Sequence, residues 1–240
     1  MRNKNFFLFP LFVAASQFIF TCSFAQPGNK TATIVYDISI TKHRHAGGIE
    51  ETYNGGTKAI FITGKKARIR LVTLMRIQSM FFDYTETGVK KVTILKESGK
   101  KKYTFNLTPA EWNSYNYKYD STNVSCSFTN DSLNIAGYTC KKVVINLQKG
   151  RQVIAYYTDS IQTKTGFIEP LFRCVPGMVL QYEFFSKKGF IIFKAAKVSN
   201  SFISTSIFTV PSKGFAVKKY RPGNGKNNGE PESEDPAAEE

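Results

Sequence analysis

The chain reads as a mainly β protein: a curved antiparallel sheet, a half-barrel, with one or few short helices. Two observations predict this. About ten short runs alternate apolar and polar side chains in steps of two, the period of a strand with one wet face. Only one stretch, after Thr108, carries the start signals of a helix. Short antiparallel strands with scarcely any helix to cover them bury their apolar sides most economically by curling on themselves.

The elements follow in order. In 32–40, Ala32, Ile34, Tyr36, Ile38 and Ile40 share one face and Thr33, Asp37 and Ser39 the other. Segments 58–63 and 67–72 flank Gly64-Lys65-Lys66 as a hairpin, with Ala67, Ile69 and Leu71 inward and Arg68 and Arg70 outward. Strands are expected at 77–84, 90–96 and 102–107, the last two joined by Glu97-Ser98-Gly99-Lys100. Thr108-Pro109-Ala110-Glu111 supplies an N-cap, a proline in the first turn and a capping-box carboxylate, for a helix that ends before Asp120. Segments 142–147 and 152–157 flank Gln148-Lys149-Gly150-Arg151 as a second hairpin. Met178, Leu180, Tyr182 and Phe184 alternate with polar or smaller residues, Lys187-Lys188-Gly189 turns the chain into 190–197, and a last strand covers 202–210. The loop 158–175 is the longest gap of the second half, the kind of segment on which binding surfaces often sit.

Three regions differ in kind. Residues 1–25 have the layout of a cleaved secretory signal: Arg2 and Lys4, an apolar run from Phe6 to Phe20, and Ser23-Phe24-Ala25 before Gln26. Lipidation at Cys22 is the alternative, set against the bulky Phe20 and then Thr21 that precede it. Residues 26–220 form a single β-rich domain. From 221 to 240 no large apolar side chain follows, so a disordered tail with an acidic end is expected. Export points to the periplasm or an outer-membrane-associated place.

Residues 26–229 hold 31 basic and 12 acidic side chains, a formal +19. Such a body is drawn to anionic surfaces, more weakly as salt rises. Export makes nucleic acid an unsuitable partner and an anionic envelope surface the natural one, while lysines also protect strand edges without any partner.

The residues show no chemistry. His43 and His45 flank Arg44 without a defined third ligand, so no metal site is expected. No carboxylate pair, nucleophile elbow or phosphate loop stands out, so no enzyme and no cofactor are read. Cys126, Cys140 and Cys174 survive cleavage; Cys126 with Cys140 is the expected disulfide, through a turn at Asn130-Asp131, and isolated buried thiols are the rival. Three glycosylation sequons, at Asn106, Asn123 and Asn130, matter only in a host able to use them. Phe81-Phe82, Tyr156-Tyr157 and Phe184-Phe185 put one ring on each face of a strand. That fits either a second apolar surface that holds a ligand, with Tyr157, Tyr182 and Phe184 as its candidate lining, or a face covered by another part of the chain.

The second half also carries a resemblance. Gly137-Tyr138-Thr139-Cys140-Lys141-Lys142, then Tyr156-Tyr157-Thr158, then Pro176-Gly177 before an apolar strand, resemble exported Bacteroidetes proteins of the GLPGLI family and the related DUF4412 domains. Ser206 to Pro211 resembles the closing strand of the latter. The motif positions are Gly137, Tyr138, Cys140, Lys141, Pro176 and Gly177. Cys174-Val175 departs from the pattern's Gly-Leu. The resemblance implies an exported address, a sheet like that of the lipoprotein carriers and no enzymatic activity. The combined expectation is a non-enzymatic exported protein that binds a lipid or apolar ligand in the cell envelope. A structural or protein-interaction module without a ligand is the alternative.

Overall fold

The computed structural model describes residues 31–42, 49–161, 165–186 and 189–221. The expected signal segment with Cys22, both histidines, the Lys187-Lys188 turn and the acidic tail lie outside the described residues.

The strands are β1 (Ala32–Lys42), β2 (Thr57–Thr63), β3 (Lys66–Val72), β4 (Ile77–Thr85), β5 (Gly88–Ser98) and β6 (Lys101–Leu107). After helix α1 (Pro109–Tyr115) come β7 (Val124–Ile135), β8 (Tyr138–Leu147), β9 (Gln152–Thr158), β10 (Met178–Ser186), β11 (Gly189–Ser199) and β12 (Ala216–Val217). They form one sheet in the order β12-β6-β5-β4-β3-β2-β1-β11-β10-β9-β8-β7. Two meanders thus meet where β1 pairs antiparallel with β11. Every pair is antiparallel except β12, which lies parallel to β6.

The half-barrel expectation is corrected here. The sheet is an open ladder: β12 and β7 occupy opposite ends, and the sheet is neither closed nor strongly curled. It does not need to close, because other parts of the chain cover it. β6 and β7 stand near opposite ends, so the connection holding α1 must pass across one face. That face buries Ile34 and Tyr36 of β1, Ile60 of β2, Ile69 of β3 and Ile94 of β5, and α1 sets Trp112 against Phe82 of β4. Each such fully buried apolar side chain contributes about 1.5–3 kcal/mol of transfer free energy. The cap forms as expected: Thr108 Oγ1 accepts from the Glu111 amide, and the Glu111 carboxylate accepts from Thr108 N. Those bonds hold the Glu111 carboxyl below its ordinary range.

On the opposite face, 202–210 is not the expected strand. It forms a 3-10 turn at Thr205–Phe208, and Arg68 of β3 donates to the Ile207 carbonyl at 3.1 Å while its guanidinium lies over the Phe81 ring. Ile203 and Phe208 of this segment are buried, as are Phe81 and Leu95, and none of the four belongs to the principal core cluster. The ring pair Phe81-Phe82 is thereby explained, with chain covering both faces.

β7 was not foreseen, and the disulfide differs from the expected one. Cys126 bonds Cys174, and Cys140 is a buried free thiol. The register gives the reason: Cys126 sits opposite Ile145, but Cys140 sits opposite Leu133. Five strand residues separate Ile145 from Cys140, about 16 Å, whereas bonded cysteines need Cα atoms within about 7 Å. Asn130-Asp131 falls in a register irregularity of β7 and not in a turn. The reversal comes at Ala136 and Gly137, with φ of 50° and 85°, the left-handed pair of a two-residue hairpin.

Candidate functional site

The sequence motifs resolve mostly into structural roles. Gly137 makes the β7–β8 turn, and Tyr138 packs half-buried on the core. Cys140 is fully buried, and its thiol is pushed up to about 11, chiefly by burial. Lys141 and Lys142 are surface residues paired with Asp159 at 2.7 Å and Asp131 at 2.9 Å. Gly177 is required by a close approach: a Cβ there would lie 2.2 Å from the Thr158 carbonyl oxygen. Pro176 is exposed on the rim of a groove described below.

Of the three candidate ligand residues, Tyr182 and Phe184 come together and Tyr157 does not. Tyr157 is buried on β9, edge-on to Phe128 of β7. Tyr182 stacks on Phe193 with ring centroids 4.6 Å apart and meets Phe184 edge-on at 5.6 Å. Both line a cavity of about 50 Å³ together with Met80, Trp112 and Phe172. That volume holds a few waters and excludes a lipid.

Lys58 of β2, a residue for which the sequence reading had no role, lies at the centre of this region. It is 3 % exposed, and its ammonium forms an ion pair with Glu169, itself 9 % exposed. Lys58 also donates to the Tyr182 hydroxyl at 3.0 Å and lies over the Tyr182 ring at 5.2 Å from the centroid. Beside it the Tyr36 hydroxyl donates to the Val179 carbonyl at 2.6 Å. Burial pushes the Tyr36 phenol well above its usual value, and the Glu169 carboxylate adds to the effect. The sequence did carry a signal: the alternation that turns Ile60 and Ile62 inward also turns Lys58 inward.

The segment 165–177 is held at several points. Glu169 is tied to β2 through Lys58, Cys174 to β7 through the disulfide, and the Phe167 carbonyl accepts from the Trp112 indole at 3.1 Å. Between this segment, α1 and the β4–β5 turn runs a groove of about 580 Å³. Its apolar lining includes Val89, Pro109, Trp112, Phe167 and Val175. Asn113, Thr87 and Thr165 are polar lining, and Arg173 is the one charged residue that lines it among the described residues. The Arg173 guanidinium reaches Asp120 at 3.5 Å and donates from Nε to the Pro170 carbonyl. Trp112 is the sole tryptophan of the chain and lines both cavities. Among the described residues no group of three His, Cys, Asp or Glu side chains is placed to hold a metal ion. No helix among them is long and apolar enough to cross a membrane.

No family model matches the chain, and no curated protein matches it. The resemblance to GLPGLI and DUF4412 proteins finds no support there. Among solved structures, PNGF-II is similar at 12 % identity and a TM-score of 0.44, over 79 % of this chain and 30 % of that one. MucB is similar at 8 % identity and 0.40, over 76 % and 58 %. An uncharacterized conserved protein from Thermus thermophilus is similar at 7 % and 0.36, over 79 % and 91 %. The chain thus spans under a third of the PNGF-II structure and 58 % of MucB. Likenesses of this strength carry no information about activity.

Proposed function

We propose that this chain is an exported, non-enzymatic protein of the cell envelope that holds a small apolar ligand in the groove between α1 and segment 165–176. The groove itself carries the reading. Its volume of about 580 Å³ falls inside the range of about 300–1,000 Å³ common for small-molecule sites, and its walls combine apolar side chains with polar ones. We therefore put the ligand in this groove and not in the Tyr182–Phe184 cavity. The Lys58–Glu169 pair is read as scaffolding, since each charged head is turned to the other inside the core.

Native mass spectrometry of the protein exported into a bacterial periplasm tests the reading. A reproducible adduct of one ligand class, removed by organic extraction and restored on adding the extract, is expected. A clean apo mass that takes up nothing from envelope extracts would overturn it. The alternative, a protein-interaction module, has its own observation. Edge strand β7 pairs on one side only and exposes Phe128 and Leu133, at 54 % and 40 %. A β7-dependent partner or self-association, found with a ligand-free groove, would favour that module instead.

A further inference from the structure

The groove's charge assigns a ligand class. Resting on the reading of the groove as the ligand site, we propose that its occupant is a single-chain amphiphile with an anionic head. The head sits at Arg173, and the chain lies along Trp112, Val89 and Val175.

Three observations carry this. First, among the described residues the groove lining contains no carboxylate, so its one fixed charge is the Arg173 guanidinium. A cationic ligand would meet a like charge on the lining, and an anionic one finds a planar donor fork suited to carboxylate or phosphate. Second, Arg173 is fixed in place. Gly166 lies so close beneath it that a Cβ would come within 2.9 Å of the Arg173 Cα, and the adjacent Cys174 is bonded to β7. The Nε bond to the Pro170 carbonyl holds the start of the guanidinium as well. Third, the Asp120 pairing is open to competition. The 3.5 Å contact joins side chains 32 % and 59 % exposed, and surface pairs of this kind are worth only about 0–1 kcal/mol. An incoming anion can displace it at little cost. The remaining lining mixes apolar side chains with the neutral hydrogen-bonding groups of Thr87, Asn113 and Thr165. A site of this volume suits one chain better than the two chains of a phospholipid.

Trp112 makes the test direct, because the chain's only indole lies in the groove. The delipidated full chain is titrated with dodecanoate and with 1-dodecanol below their aggregation limits at pH 8. Binding is followed by Trp112 emission and, independently, by adduct mass in native spectrometry. Dodecanoate is expected to bind at least roughly tenfold tighter than dodecanol, the worth of one charge-assisted contact. Arg173→Gln is expected to remove that advantage, so that the ratio of dodecanoate to dodecanol affinity falls to about one, while Arg173→Lys keeps part of it. Arg173 is exposed, so far-UV spectra of both variants should match the parent. Equal binding of acid and alcohol, with no effect of Arg173→Gln, would overturn the anionic-head proposal and leave the groove reading standing. Binding of neither probe by either readout would overturn both.

Discussion

Replacing Lys58 by Met removes one half of a charge pair that the fold hides almost completely. The side chains of Lys58 and Glu169 are 4 % and 8 % exposed. The substitution keeps the apolar stem and deletes the ammonium, so Glu169 is left as a buried carboxylate without its ion-pair partner, and the Tyr182 hydroxyl loses a donor. Orphaning one member of a buried pair costs about 3–5 kcal/mol. A domain of this size has a urea m-value of about 2 kcal/mol/M, so the unfolding midpoint should fall by about 2 M. Lys58→Met/Glu169→Leu removes both charges and should recover most of the loss. Equilibrium urea unfolding followed by Trp112 emission measures both variants against the parent, as the indole lies in the same cavity wall. A Lys58→Met loss below about 1 kcal/mol at pH 7, the worth of an exposed pair, would refute the argument that this pair is buried scaffolding.

Three further outcomes follow from the fold. Cys126→Ser/Cys174→Ser opens a loop with a sequence separation of 48 and should cost up to about 4 kcal/mol by chain entropy, read as a lower thermal midpoint under non-reducing conditions. Gly177→Ala drives a Cβ onto the Thr158 carbonyl and should cost about 1–3 kcal/mol, whereas Gly99→Ala meets nothing within 4 Å and pays only for its left-handed φ of 55°. Cys140 should resist thiol reagents in the folded protein and react on unfolding. Because its folded thiol is pushed up to about 11, the unfolded chain sheds this proton first. Its contribution to stability is therefore full below the ordinary thiol range and is lost as pH rises from there through about 11, which alkaline unfolding of Cys140→Ala against the parent would show.

Much of the fold is legible in the sequence because most strands have one wet and one dry face. The alternations in 32–40, 58–63, 67–72 and 178–184 all correspond to strands, and the Thr108-Glu111 capping box marks the start of α1. β7 escapes because an edge strand needs no apolar face. From Ser125 to Asn134 its burial is intermediate or none, so Ser-Cys-Ser-Phe-Thr-Asn-Asp carries no period to read. The disulfide escapes because proximity along the chain is a poor guide when a long loop returns across three strands to the edge. The curl expected from a shortage of helix fails because irregular chain covers the sheet: α1 with segment 165–177 on one face, and 202–210 on the other. Irregular segments have no repeat, so their covering role is invisible until the fold places them. The groove has the same character. Its lining comes from a β-turn, a helix and a loop that lie far apart in the chain, while Tyr182 and Phe184, which share a strand, turn out to be core.

The most direct test of the ligand site is photo-crosslinking with a dodecanoic acid that carries a diazirine at mid-chain, followed by peptide mapping. The account predicts labelling confined to 87–89, 109–113 and 165–176, competed away by unlabelled dodecanoate. Labelling centred instead on the exposed rings Phe128, Phe185 or Phe202, with the groove peptides clean, would contradict it.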